Sequence, residues 1–142
     1  MDAATIRPGG NDDIDAVLAL WAAADAEPTV TDDADSIRCL IRHDPDALLV
    51  AEQDGRLVGT LIATWDGWRA AMWRLAIHPD HRRLGIASRL VRWAEDRFLR
   101  LGARRIALFV DTADPSPGEF WVACGYEPQS HRRRLVKNLV GP

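Results

Sequence analysis

The stretch HPDHRRLGIASRL, residues 78–90, decides how the chain is read. An apolar run, RAAMWRLAIH (69–78), leads into it and stops at Pro79, which has no backbone donor and closes a strand. An amphipathic segment leads out of it. Ile86, Leu90, Ala94, Phe98 and Leu101 fall on one helical face with Ala87 and Val91 beside them, while Arg89, Arg92, Asp96 and Arg100 face outward. Gly102 supplies a left-handed stop. Between strand and helix stands Gly85, although glycine costs a helix about 1 kcal/mol relative to alanine. At a helix start that cost has a use, because glycine reaches unusual dihedrals and puts no Cβ between the backbone and a ligand. The free N–H groups of residues 82–87, the positive end of the helix dipole and the charges of Arg82, Arg83 and Arg89 make a candidate anion nest. A phosphate or pyrophosphate suits such a nest best. Neither GxxxxGK[ST] nor GxGxxG occurs, which excludes two common phosphate fingerprints.

Upstream, ALLVAEQDGRLVGTLIATW (47–65) places two apolar runs around Asp54-Gly55, a strong hairpin signal. DGW (66–68) marks a second turn, so three strands follow one another. Their runs are apolar on both faces, as in strands covered on both sides. ATIRP (4–8) is a short edge-type strand. In NDDIDAVLALWAAAD (11–25), Ile14, Val17, Leu18 and Trp21 share a helical face that Asn11 or Asp12 caps. A second helix starts near Thr31 or Asp32, carries Ala34, Ile37, Leu40 and Ile41, and closes at Pro45. Downstream, RRIALFVD (104–111) reads as a buried strand. DPSPGEFWVACG (114–125) reads as a helix with Asp114 at its cap, Pro115 in its first turn and Gly125 at its end. HRRRLVKNL (131–139) alternates loosely as a last strand. The expected fold is α/β: a mixed, largely antiparallel central sheet with helices on both faces, whose strands before and after the main helix are parallel neighbours through a right-handed crossover.

The bulk composition is that of one ordinary globular domain spanning residues 1–142, with 27% charged and 47% apolar residues. A net charge of −3 speaks against nucleic acid as a partner. No run is long and apolar enough for a membrane span, and the first residues lack the layout of a secretory signal. Cys39 and Cys124 have no zinc spacing and sit among apolar neighbours, so the expectation is buried free thiols, no metal and a reducing cytoplasm. Of the six tryptophans, Trp21 and Trp73 fit core faces, and Trp65 and Trp68 flank the 66–68 turn as hairpin packing or as a wall of a binding site.

RRLGIA (82–87) resembles the R/Q-x-x-G-x-G/A signature of the GCN5-related N-acetyltransferase (GNAT) family, with Arg82, Gly85 and Ala87 at the signature positions. LAIHPDHRRLGIASRLVRWAE (75–95), FWVACGYE (120–127), IRPGGNDDIDAVLALW (6–21) and LLVAEQDGRLVGTLIA (48–63) also resemble the family, in its order and over nearly the whole chain. The resemblance implies acyl transfer from acetyl-CoA to a primary amine, on a small molecule or a protein, by direct attack on the thioester. It implies that CoA is held by Arg82, Arg83, Leu84, Gly85, Ile86, Ala87 and Ser88, and that Leu75, Ala76 and Ile77 pair with the pantetheine arm. The parallel strands must then splay apart to leave a slot.

A backbone N–H of the Leu75–His78 strand is the candidate oxyanion donor. The family's frequent tyrosine acid is replaced here by Trp121, whose indole N–H donates but is not given up. Protonation of the leaving thiolate then comes through water, with Tyr126 or Ser116 as alternatives. No carboxylate stands on the strand before the loop, so the base is a water relay to backbone carbonyls, His78, Glu27 or Asp66. The acidic DAEPTVTDDAD (25–35) would favour a cationic acceptor or else be a solvated loop, and the basic HRRRLVK (131–137) would meet an acidic partner or the CoA 3′-phosphate or else be a solvated strand. Two rival readings remain: a non-catalytic acyl-CoA-binding or regulatory module, and a flavin or nucleotide protein. A monomer and a homodimer are both compatible with the chain.

Overall fold

A computed structural model describes residues 3–24, 26–110 and 115–140. Its topology is set by two tight turns. Asp54 and Gly55 both take positive φ, 52° and 77°, the pairing a two-residue hairpin needs to match strand twist. That turn joins β2 (Leu48–Gln53) to β3 (Arg56–Trp65). At the next turn Asp66 Oδ1 accepts the N–H groups of Trp68 and Arg69, and Gly67 takes φ 90°. The chain thereby returns as β4 (Ala70–Ile77). With β1 (Thr5–Pro8) and β5 (Ile106–Leu108) these form a sheet of order β1-β2-β3-β4-β5, antiparallel except for the β4–β5 pair.

The chain divides into two compact units, Met1–Leu108 and Phe109–Pro142. In the first, α1 (Ile14–Ala23) and α2 (Ala34–His43) cover one face of the sheet, where Ile14, Val17, Trp21 and Ile37 pack on Leu48, Val50, Ile62 and Ala76. α3 (Ile86–Leu101) covers the opposite face with Ile86, Leu90, Val91, Ala94 and Phe98. The expected mixed, largely antiparallel sheet between helix layers is the observed fold. The second unit holds α4 (Pro115–Ala123), which ends at Gly125 with φ 96°.

Several details differ from expectation. The caps lie one or two residues away: Asp13 Oδ2 accepts Gly10 N–H ahead of α1, and Asp33 Oδ1 accepts Ser36 N–H at α2. Cys39 is exposed rather than buried, because 100° per residue carries it away from the buried Ile37. Trp73 is 38% exposed and donates its indole N–H to Thr64 instead of entering the core. Leu101, in the last turn of α3 beside the Gly102 cap, also stays exposed. β5 is a three-residue, half-buried strand at the sheet edge. Residues 131–139 form no strand. Leu135 and Val136 are adjacent, so an extended chain would turn them to opposite faces and build no apolar side. Asp114 lies outside the described residues.

Candidate active site: an anion nest beside an open strand edge

The loop from β4 to α3 is shaped by its two unusual backbone positions. Arg83 and Gly85 take φ of 65° and 79°, so the chain curls before entering α3 with Gly85 as its left-handed cap. A Cβ built on Gly85 would meet nothing within 4 Å. Its glycine is therefore explained by its dihedral and by the open space in front of it, not by protein packing. The first helical acceptor is Gly85 C=O, taken by Arg89 N–H. The amides of Gly85, Ile86, Ala87 and Ser88 stand ahead of that bond as the unsatisfied donors of a 16-residue helix. Arg82, Arg83 and Leu84 are exposed, and Ala87 and Ser88 half-buried, around this mouth. Arg82 also folds back, donating Nε to Ile77 C=O at 3.3 Å.

α3 reaches this position because Gly59 lets it. A Cβ at Gly59 would lie 3.0 Å from Ile77 Cδ1 and 3.2 Å from both Ile86 Cγ2 and Leu90 Cδ1. Farther along, the buried Arg97 fastens α3 by donating to Ala63 C=O at 2.8 Å and to Asp44 at 2.6 Å. Sequence reading missed both residues. The signal for Gly59 was a lone glycine within a strand pattern, which marks close backbone approach. Arg97 carried no local signal.

Next to the nest, β4 has an unpaired edge. The parallel ladder with β5 runs only from Ala70↔Ile106 to Met72↔Leu108. Leu75–Ile77 lie past the end of that ladder. His78 N–H points the other way, to Val58 C=O, so by alternation Ile77 and Leu75 turn their peptide groups to the open edge. Leu75, Ala76 and Ile77, the loop 82–85 and the first turn of α3 are thus brought together.

The candidate proton carriers fare differently. His78 Nδ1 accepts Asp80 N–H at 3.1 Å, so a neutral ring carries its proton on Nε2 and has no free lone pair. The peptide N–H groups of Arg69 and Trp68 hold the Asp66 carboxyl below the usual carboxylate value, which makes it a poor base. Glu27 lines a cleft with Leu18, Trp21, Ala26, Pro28 and Asp32. Asp32 is engaged by Arg74, as is the Glu27 carbonyl. In the second unit, Trp121 is buried and meets Phe120 and Tyr126 edge-on, at 5.2 and 5.1 Å between ring centres. Ser116 is exposed. Among the described residues no group of three or more His, Cys, Asp and Glu side chains is arranged to hold a metal, and no helix is long and apolar enough to cross a membrane.

A family model described as the acetyltransferase (GNAT) family matches residues 14–126. The chain belongs to the GNAT family of acetyltransferases. This acetyltransferase is 33% identical over 135 residues to an acetyltransferase of Sodalis glossinidius, covering 95% of each chain. Its fold is similar to that of Ard1 from Thermoplasma volcanium, with a TM-score of 0.79 at 22% identity over 87% of this chain and 82% of the other. It is likewise similar to the PaiA N-acetyltransferase of Thermoplasma acidophilum in complex with coenzyme A, with a TM-score of 0.75 at 14% identity over 89% and 91%.

Proposed function

We propose that the chain, acting as one domain over residues 1–142, transfers the acetyl group of acetyl-CoA to a primary amine of a small molecule or a protein. The observation that carries this reading is the row of unsatisfied amides at Gly85–Ser88 opening beside an unpaired strand edge. In this reading the pyrophosphate takes the amides of residues 83–88 together with the charges of Arg82 and Arg83. The pantetheine arm pairs with the edge of Leu75, Ala76 and Ile77, as an added strand would. The complex of the PaiA relative with coenzyme A supports the choice of donor. An outward β4 amide, from Leu75 or Ile77, stabilises the developing oxyanion.

The amine attacks the thioester carbonyl after losing a proton to a water relay, since His78 Nδ1 and Asp66 are already committed. The C–S bond then breaks and CoA leaves as a thiolate. A thiol of pKa about 8.5 leaves without obligatory protonation, so water suffices as the proton source and Tyr126 is the residue to test. Tyr126→Phe should lower kcat by less than the about 100-fold that removal of a general acid costs. A loss of that size in a folded variant assigns the proton to Tyr126. Cys39 and Cys124, not joined in a disulfide, suit a reducing cytoplasm.

Calorimetry with acetyl-CoA, CoA and ATP tests the donor site, and thiol release with a panel of amines tests catalysis. Binding of CoA and acetyl-CoA but not ATP, with amine-dependent thiol release, is the expected result. No affinity for CoA overturns the reading. Affinity without release for any amine favours an acyl-CoA-binding module instead.

A further inference from the structure

The most constrained backbone in the sheet is at Arg74. Its φ of 54° lies in the left-handed region, rare for a bulky residue and sustained only where neighbours over-determine it. The register shift between Thr60 and Ile62 shows why the chain kinks there: Arg74 and Leu75 together oppose the single residue Leu61. The holding contacts come from outside β4. Arg74 C=O accepts the Thr60 hydroxyl at 3.1 Å, and the same Oγ1 accepts Trp21 Nε1–H at 2.9 Å. An indole N–H only donates, so Thr60 must spend its one proton on Arg74 and the direction of the relay is fixed. Thr60 is fully buried and Trp21 is 5% exposed, so no solvent competes for either bond. The Arg74 guanidinium in turn pairs with Asp32, donates to Glu27 C=O at 2.7 Å and lies 5.5 Å from the Trp21 ring centre.

The consequence falls at the active edge. The β4–β5 ladder stops at Met72, two residues before the kink, and Leu75 and Ile77 lie past its end. We propose that Thr60, backed by Trp21, is a positioning residue for acetyl transfer. It holds the Arg74 kink and so aims the outward β4 peptide groups at the thioester carbonyl. This rests on the reading of that edge as the donor site. The same latch reaches Glu27 and Asp32 in the neighbouring cleft, so the strand edge and the cleft wall are set by one network. A threonine serves where valine would fill the space equally well, because only the hydroxyl satisfies both the indole and the carbonyl.

The test compares the full-length parent with Thr60→Val, Thr60→Ser and the double variant Thr60→Val/Arg74→Gly. Each is measured by CoA calorimetry and by thiol release from acetyl-CoA with the amine the parent turns over fastest. Thr60→Val should lose about 10- to 100-fold in kcat, short of the ~10²–10³ that outright loss of an oxyanion donor costs. Its CoA dissociation constant should rise by far less than kcat falls, since the pyrophosphate loop is untouched. Thr60→Ser should keep the parental rate, and Arg74→Gly should recover part of the loss in the Thr60→Val background, since glycine holds this φ unaided. Parental kcat in Thr60→Val overturns the proposal. So does a loss of CoA affinity in step with kcat, or a Thr60→Ser variant as slow as Thr60→Val. If Thr60→Val does not fold, the double variant decides: folded and active supports the proposal, unfolded or inactive overturns it. A parent that binds no CoA sinks the donor site itself, a different outcome from any of these.

Discussion

In the proposed donor site, one residue without a side chain, Gly85, matters most. Its φ of 79° and the empty space where a Cβ would stand separate two effects that usually travel together. A Cβ there meets no protein atom, so alanine should cost only the left-handed strain of about 1–2 kcal/mol, and valine more, because a β-branched side chain tolerates positive φ poorly. CoA affinity should fall further with valine than with alanine, because the larger side chain occupies the mouth of the nest. Thermal melts and calorimetry on the two variants measure these separately. Valine and alanine variants with equal, parental CoA affinity would remove the anion from this loop. The left-handed glycine at the start of α3 was legible in the sequence because its signal is local: a bare position between a strand and an amphipathic helix. The engagement of His78 Nδ1 by a peptide N–H two residues on was not, since it depends on how the 79–81 turn closes.

At the scale of elements, α3 is the lever that carries the nest, and it is fastened at two points. Near its start, Gly59 admits Ile86 and Leu90 to the sheet. Gly59→Val should force the helix away, at an overpacking cost of about 1–3 kcal/mol, and should weaken CoA binding beyond what the fraction unfolded explains. Toward its end, Arg97→Met leaves Asp44 without its cation and Ala63 C=O without the guanidinium donor. That substitution should cost about 3 kcal/mol in denaturant unfolding, while CoA affinity of the folded fraction stays parental. The contrast between the two variants distinguishes a residue that aims the nest from one that only anchors the helix. The apolar face of α3 was visible in its spacing, but Arg97 was not. Its partners lie 34 and 53 residues away in sequence, and no periodicity announces them.

For the molecule as a whole, charge enters stability most clearly where β1 meets the start of α1. The Arg7 guanidinium donates to both Asp13 oxygens, at 2.9 and 3.0 Å, and to Glu52 at 3.1 Å. This contact, with the Gly10 N–H, holds the Asp13 carboxyl below its ordinary value despite partial burial. A carboxyl depressed on folding contributes its stability in full above its unfolded value, about 3.9, and loses it as pH falls through the folded value. Asp13→Asn should therefore destabilise by about 1–2 kcal/mol at neutral pH, with the difference from the parent vanishing in acid. Urea unfolding across pH 7 to 2 checks both halves of that statement.

By itself the sequence determined the order of elements as far as α4, the hairpin at Asp54-Gly55, the two helix layers and the left-handed glycine at the start of α3. Each of these follows from the spacing of apolar residues or from a glycine's dihedral freedom, which act over a few neighbours. The tertiary structure alone decided that Arg74 kinks β4, that Thr60 and Trp21 hold the kink, and that Arg97 is buried. It also decided that 131–139, strand-like in composition, forms no strand. These outcomes depend on hydrogen-bond partners brought together across 14 to 53 residues of chain, and only the packed sheet puts those groups within reach.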